Sequence, residues 1–430
     1  MNIREGQSIA TTPIGIAGVH FESYEESQHP HSEGEAALSG TISLQSPLQN
    51  MSHLVETKTQ PIYRAPTAPP GEWTLTSLRQ HLQTAVLLEL YTIPLYLFAK
   101  YSINDTPNTK EEEAVKTIQN IIEQEMFHLG LAGNLLCALR GRPQIYGEPF
   151  TPRYPSEILY EGVLMTLAPA SKIQIQNFAE VEQPVHHRVD VSQDQASTRT
   201  LGQYESIGQF YESLRQGLKD LHARIGDDMF DQDSARRQWQ GREGTPLTPI
   251  LDLQTALDKL ELIIEQGEGG PSESEAESHF GQFTRLSQLD LDVYPLAPNP
   301  KTSQFKGREN CYPVMLAFDA AYSYLLWTLE AGWTYGGQDE NKWKSIRSTL
   351  HKLMVDVLRP MALFLVKQKL QTFNKNAAPP FNLYIFDPQT SPLKELQRLF
   401  NDAAAAYPEE ESIRDACTTV AQALCDLGNI

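Results

Sequence analysis

The chain has 430 residues, a formal charge of −19 and a pI near 5.0. That length exceeds one ordinary domain, and the acidic balance without a Lys/Arg cluster argues against a duplex nucleic-acid binder. Four cysteines, Cys137, Cys311, Cys417 and Cys425, show neither CxxC spacing nor a dense framework, which points to a reducing compartment. No apolar run is expected to reach the roughly 20 residues of a membrane span. The N-terminus lacks the basic-then-apolar order of a signal peptide, so a cytoplasmic location is expected.

Residues 1–70 are rich in Ser, Gln, Glu, Pro and Thr and hold no sustained period, as in "HFESYEESQHPHSEGEAALSG". They are expected to be a disordered extension, with His20, His29 and His31 solvated. "APTAPPGEW" closes it, and from there the chain turns helical. "TLTSLRQHLQTAVLLELYTIPLYLFAKYSI" predicts a first helix with Thr caps and a kink at Pro94. "TKEEEAVKTIQNIIEQEMFHLGLAGNLLCALRG" predicts a second, with acids in its first turn and a Gly after its end. "SEILYEGVLMTLAPASKIQIQNFAEVEQP" predicts a third, interrupted at Pro169, and "YESIGQFYESLRQGLKDLHARIG" a fourth. "PILDLQTALDKLELIIEQGEGG" is mixed, and "SESEAESHFGQFTRLSQL" predicts a fifth helix. A Pro/Asn-rich link then leads to a second helical block holding "VMLAFDAAYSYLLWTLEAGW", "SIRSTLHKLMVDVLRPMALFLVKQKL" and a C-terminal helix from about Ser412. The fold class is all-α. The expected division is an extension over 1–70, a helical domain over 71–295 and a C-terminal helical region over 310–430.

Several polar residues stand where this pattern calls for core. In "IQNIIEQEMFHLGLAGNLL", Glu125 and His128 fall inside the apolar stripe of Ile118, Ile121, Ile122, Leu129 and Leu135. Glu89 lies among Leu82, Val86, Ile93 and Leu97. Glu182 shares a face with Leu164, Leu167, Ile175 and Phe178, and His279 lies in line with Phe283 and Leu286. A charge in a dry core is costly unless it is paired or bound to a metal. Carboxylates and imidazoles converging from four helices can hold one or two transition-metal ions. The bland reading of each residue alone is a hydrogen-bonded core histidine or a capped or paired glutamate.

The stretches "LQTAVLLELYTIPLYLFAKYSI", "IIEQEMFHLGLAGNLLCALRGRPQIY" and "PRYPSEI" resemble the ferritin-like domain of the iminophenyl-pyruvate dimer synthase type. The resemblance continues through "FAEVEQP", "YESIGQFYESLRQGL", "GDDMFDQDSARRQ" and "SHFGQF", covering about residues 73–290 and, faintly, the block after 310. It implies a ferritin-like four-helix-bundle core and a metal-dependent oxidoreductase or coupling enzyme of specialised metabolism. The substrates implied are small imino acids or other compounds derived from aromatic amino acids. The metal implied is iron, one or two ions, with manganese or zinc as alternatives. Carried over by position, the ligands are Glu89, Glu125, His128, Glu182 and His279; no separate catalytic base is assigned.

Two positions depart from that pattern. Gln209 stands where an acid is expected before "FY", and Ala276 where one is expected three residues before His279. Glu205, Glu212 and Glu275 are the neighbours able to compensate, although Glu205, Gln209 and Glu212 lie opposite the Ile207/Phe210/Leu214/Leu218 stripe. These departures favour one tightly held ion over a symmetric pair. "DDMFD" at 227–231 matches the DDxxD of magnesium-dependent terpene cyclases, a rival reading that its place in a loop after Gly226 counts against. The aromatic series Tyr322, Tyr324, Trp327, Trp333 and Tyr335 reads as core packing, with an aromatic substrate pocket as the alternative. The non-enzymatic rival is a metal-free helical scaffold. Expected partners are a small-molecule substrate, no nucleic acid and no membrane, with homo-oligomerisation open.

Overall fold

The computed structural model describes residues 65–157, 164–183, 204, 206–241, 245–268, 276–336 and 339–427. Most of the expected N-terminal extension, with His20, His29 and His31, lies outside the described residues, as do Glu205 and Glu275.

Thr74 and Ser77 cap each other reciprocally to start α1 (Leu75–Ser102), which runs unbroken through Pro94. Three glutamates, Glu111 to Glu113, complement the N-terminal dipole of α2 (Lys110–Ala138). Ser171 caps α3 (Lys172–Val181) and Ser206 caps α4 (Ile207–Ile225). Helix α4 ends at Gly226, whose φ of 64° is left-handed backbone that glycine accepts without a Cβ clash. The mixed stretch after it forms α5 (Leu253–Glu268), and Ser278 caps the short α6 (His279–Leu286).

Helices α1, α2, α5 and α4 pack pairwise around a closed ring, with α1 against α2 and α4, and α5 against α2 and α4. This is the expected four-helix bundle. Helices α3 and α6 pack on each other and reach the bundle through α2 and α5. Among the described residues there is no strand, only isolated bridges such as Ser156 to Met165.

The second block comprises α7 (Tyr312–Thr334), α8 (Glu340–Lys352), α9 (Arg359–Leu365), α10 (Pro392–Ala406) and α11 (Glu411–Gln422). A π-turn at Leu353–Leu358 joins α8 to α9. One continuous apolar core runs from α1 to α11. Asn134 of α2 ties the blocks together. Its carboxamide accepts from Trp239 N at 2.8 Å and Trp333 Nε1 at 3.2 Å, and donates to the Trp239 carbonyl at 2.7 Å. Gly133 and Gly332 lie under the rings of Trp333 and Trp239, where a Cβ would approach ring carbons to 2.2 Å in both cases.

Four expectations need correction. The third helix is shorter than its apolar run suggests: it starts only after Pro169, so Leu164 and Leu167 lie outside it and Leu164 is exposed. The fifth begins only at His279. Helix α10, capped by Ser391 with Pro392 at its first position, was not expected as a separate element. Finally, α1 is long and apolar enough to cross a membrane by length and composition. Its apolar window is 89 % buried within the protein, which makes it the central core helix.

Candidate metal centre

All five residues singled out from the sequence meet inside the bundle. Glu89 comes from the middle of α1, and Glu125 and His128 come from α2, one turn apart on the face turned to α1. Glu182 is the residue that ends α3, and His279 is the first residue of α6. None is more than 6 % exposed, and His279 is fully buried.

The donors form two overlapping triads. Glu89, Glu125 and His128 bring one ligand atom each within 4.8 Å of one another, and so do Glu125, Glu182 and His279. Glu125 belongs to both. His128 Nδ1 is 3.5 Å from Glu89 Oε2, and His279 Nδ1 is 2.8 Å from Glu125 Oε1 and 3.8 Å from Glu182 Oε2.

Each carboxylate has one oxygen held by a hydroxyl. Tyr211 of α4 donates to Glu89 Oε1, Thr92 donates to Glu125 Oε2 at 2.7 Å, and Tyr96 donates to Glu182 Oε1. The other oxygen of each faces an imidazole Nδ1. Both imidazoles are fixed from behind by glutamine. His128 Nε2 is 2.8 Å from Gln266 Oε1 of α5, and His279 Nε2 is 2.7 Å from Gln124 Oε1 of α2. A carboxamide oxygen only accepts, so each Nε2 carries a proton, and with a cation bound each Nδ1 would present its lone pair on the carboxylate side.

This arrangement fits a metal ion. His279 Nδ1 is fully buried 2.8 Å from Glu125 Oε1 without a hydrogen bond of regular geometry. An imidazole nitrogen facing two carboxylate oxygens in a dry core can share either a proton or a metal ion with them. A cavity of about 30 Å3 touches Glu89, Thr92, Glu125, His128, Glu182 and Tyr211. At roughly 10–15 Å3 for each water-sized occupant, it has room for about two.

Without a cation, protons must serve. Burial opposes charging of His279, but the Glu125 and Glu182 carboxylates outweigh it and hold its pKa up at about 10. Burial likewise opposes protonation of His128, and Glu89 raises its pKa in spite of it. Burial, then Glu182 for Tyr96 and Glu89 for Tyr211, push both phenols well above their ordinary range. Both tyrosines are therefore hydrogen-bond donors and not bases.

The positions that depart from the resembled pattern lie elsewhere. Gln209 and Ala276 are exposed, and Glu212 faces solvent in an ion pair with Arg215 at 2.8 Å. Substitutions at 209 and 276 therefore take no donor away from the cluster. The "DDMFD" stretch is a short 3₁₀ turn after α4: Asp227 and Asp228 are exposed, and Asp231 pairs with Arg237 at 2.6 Å. Tyr322, Tyr324 and Trp333 are core residues, while Trp327 and Tyr335 are half-buried. Sequence reasoning missed Thr92, Tyr96, Tyr211, Gln124 and Gln266.

Comparison with known proteins agrees with this architecture. A sequence model of the ferritin-like family matches residues 82–288. The chain is 22 % identical over 363 residues to the 2-imino-3-(indol-3-yl)propanoate dimerase of Chromobacterium violaceum. That alignment takes in 73 % of this chain and 34 % of the dimerase, so the chain spans about a third of that relative's length. A crystal structure of a ferritin-like protein from Caulobacter vibrioides superposes with a TM-score of 0.50 at 25 % identity. The match covers 66 % of this chain and 96 % of that one.

Proposed function

We propose, from the match of residues 82–288 to the ferritin-like family, that the chain is a metal-dependent enzyme that couples or oxidises small imino acids derived from aromatic amino acids. Iron is the metal we assign to Glu89, Glu125, His128, Glu182 and His279, as two ions sharing Glu125. The observation that carries the proposal is the pair of buried triads joined through Glu125. The name of the bacterial relative supports the substrate class.

Bound iron would supply one-electron redox chemistry and Lewis acidity to a chelating substrate. The chain supplies the rest. Tyr211, Thr92 and Tyr96 pin one oxygen of each carboxylate, so the second oxygen keeps its direction. Gln124 and Gln266 hold each imidazole in the tautomer that exposes Nδ1. The phenols keep their protons throughout, because burial and the neighbouring carboxylates disfavour the phenolates. The small cavity limits water to one or two molecules. Gly208 and Gly267 are among the residues that line it.

A second reading rests on the raised pKa values of the two histidines. Two imidazoliums against three carboxylates would nearly balance the cluster and leave a metal-free helical scaffold. Metal analysis of protein purified without chelator, joined to an assay, separates the two. Imino acid generated in place from tryptophan or tyrosine by an amino-acid oxidase should be turned into a dimeric or oxidised product by iron-loaded protein and not by chelated protein. Equal behaviour of the two preparations, with no iron, manganese or zinc retained, favours the scaffold.

A further inference from the structure

A second cavity, of about 120 Å3, lies on a different face of α1 and α2 from the donor cluster, where both helices meet α7, the π-turn and the start of α9. Its wall is mainly aliphatic and thioether, with Leu97, Met126, Leu326 and Leu329 among the lining side chains. The lysine in that wall is Lys100, half-buried in the last turn of α1. We propose that Lys100 captures short aliphatic aldehydes in this cavity as an imine on its Nζ.

The hydrogen-bond partner of Lys100 is a neutral group. Its Nζ donates to Gln119 Oε1, and Gln119 in turn donates to Glu123 Oε1 at 2.8 Å. The carboxamide therefore stands between the amine and the Glu123 carboxylate. An amine that donates one N–H to a carbonyl oxygen keeps its lone pair for a reacting carbon, and lysines that form imines are those desolvated in apolar pockets or set beside another cation. Both conditions hold here. Burial is the largest influence on Lys100 and disfavours the ammonium, and Arg359 at the head of α9 adds to it. Glu123 of α2 and Asp105 after α1 pull the other way, and the balance lies at about 7. Tyr101 and Tyr322 line the same cavity, and burial keeps both phenols protonated. About half the chains then carry a free amine at neutral pH, against roughly one in 2,500 for an ordinary lysine.

The wall also holds a donor for a carbonyl oxygen. Tyr322 is 4 % exposed, and its hydroxyl has no hydrogen-bond partner among the described residues. A buried hydroxyl without a partner calls for an occupant that brings a polar atom. In the step itself, the Nζ lone pair bonds to the aldehyde carbon, and the C=O π pair moves to oxygen, which takes a proton from the nitrogen. The resulting carbinolamine then loses its hydroxyl with the second N–H proton, as water, and the C=N bond forms. One aldehyde and one amine give one imine and one water, with no oxidant or reductant.

Size narrows the class. A cavity of roughly 150 Å3 takes one benzene ring, and this one is smaller, so it suits about four or five carbons. The aliphatic lining favours an alkyl chain. The site does not depend on the metal cluster and stands if that centre proves metal-free.

Reductive trapping on the whole protein tests the proposal. Butanal and cyanoborohydride are added at pH 7, the hydride fixes any imine as a secondary amine, and peptide mass spectrometry locates the butyl groups. We expect Lys100 to be labelled first, about a hundredfold ahead of the exposed lysines, with a rate midpoint near pH 7. Gln119→Glu sets a carboxylate against Nζ and should move that midpoint up by about one unit or more. Leu329→Phe narrows the cavity and should slow Lys100 about tenfold while leaving the exposed lysines unchanged. Met354→Trp is the alternative should that variant not fold. Octanal and benzaldehyde should label Lys100 no faster than they label the surface. Butyl groups spread over the exposed lysines, with Lys100 not ahead, would overturn the proposal. So would a Lys100 midpoint at the ordinary lysine value, an unchanged rate in the narrowed variant, or equally selective labelling by octanal.

Discussion

His128 and His279 lie with ring centroids 5.8 Å apart and planes tilted by 34°, each backed by a glutamine carboxamide on its Nε2. The two rings come from distant stretches of chain, yet their Nδ1 atoms address the two ends of the same three-carboxylate set. This pairing sets what each ligand and each supporting residue should do when changed.

Glu125 belongs to both triads, whereas His128 belongs to one. Glu125→Gln should therefore lose both ions, and His128→Ala should lose one. Metal content per chain after iron loading and desalting checks this. Neither change leaves a large cavity, so both variants should keep their helical circular dichroism.

Gln266 and Gln124 act through the histidines and should be felt as metal affinity. Gln266→Leu removes the acceptor that holds the His128 tautomer, and outer partners of this kind are typically worth about 10–100-fold in affinity. Gln266→Glu keeps an acceptor oxygen and should restore most of it. Competition against a chelator of known affinity measures both. Equal affinity of Gln266→Leu and the parent would show that the carboxamide has no positioning role.

Much of this centre was legible from the sequence, for a physical reason. Glu89, Glu125 and His128 sit in long helices whose apolar period is regular, so a polar residue within the stripe stands out. His279 was found the same way, because Phe283 and Leu286 on α6 share its buried face. The supporting residues were not legible. Tyr96 and Tyr211 pass as ordinary core aromatics, and Gln124 and Gln266 as ordinary helix-surface residues, until the partner helix is in place. The third helix was overdrawn over residues 164–171, where "LMTLAPAS" is apolar but Pro169 and the Ser171 cap delay the start to Lys172, and apolarity alone does not choose a conformation. Helix α10 was overlooked despite its Ser-Pro start and the buried Leu396, Leu399, Phe400 and Ala403. The division into a bundle and a C-terminal region remains a proposal about folding units, since Asn134 and the shared core join the two.

The glycine–tryptophan contacts at that junction should be intolerant of a methyl group. Gly332→Ala drives a Cβ into the Trp239 ring, and Gly133→Ala does the same to Trp333. Overpacking of this kind costs about 1–3 kcal/mol. Chemical denaturation should show a lower midpoint for either variant, whereas Gly71→Ala, where nothing lies within 4 Å, should be neutral.

Asp319 gives a pH signature. Burial raises its pKa to about 8, although Thr302 donates to one oxygen at 2.6 Å and the Asn382 N–H to the other at 2.8 Å. A carboxyl whose folded pKa is raised favours the folded state most when protonated. Its contribution therefore declines as pH rises from the ordinary carboxyl value toward about 8. Asp319→Asn can keep both hydrogen bonds without the charge, so it should flatten that decline. Denaturation midpoints of the two proteins, compared between pH 5 and pH 9, should diverge in favour of the variant as pH rises.

The central claim is that the two triads hold metal, and anomalous diffraction tests it most directly. Crystals of iron-loaded protein, measured on both sides of the iron absorption edge, should give two difference peaks. One should lie among Glu89, Glu125 and His128, and the other among Glu125, Glu182 and His279. A single peak would reduce the centre to one ion, and a cluster without any peak, its imidazoles bonded directly to the carboxylates, would contradict the account.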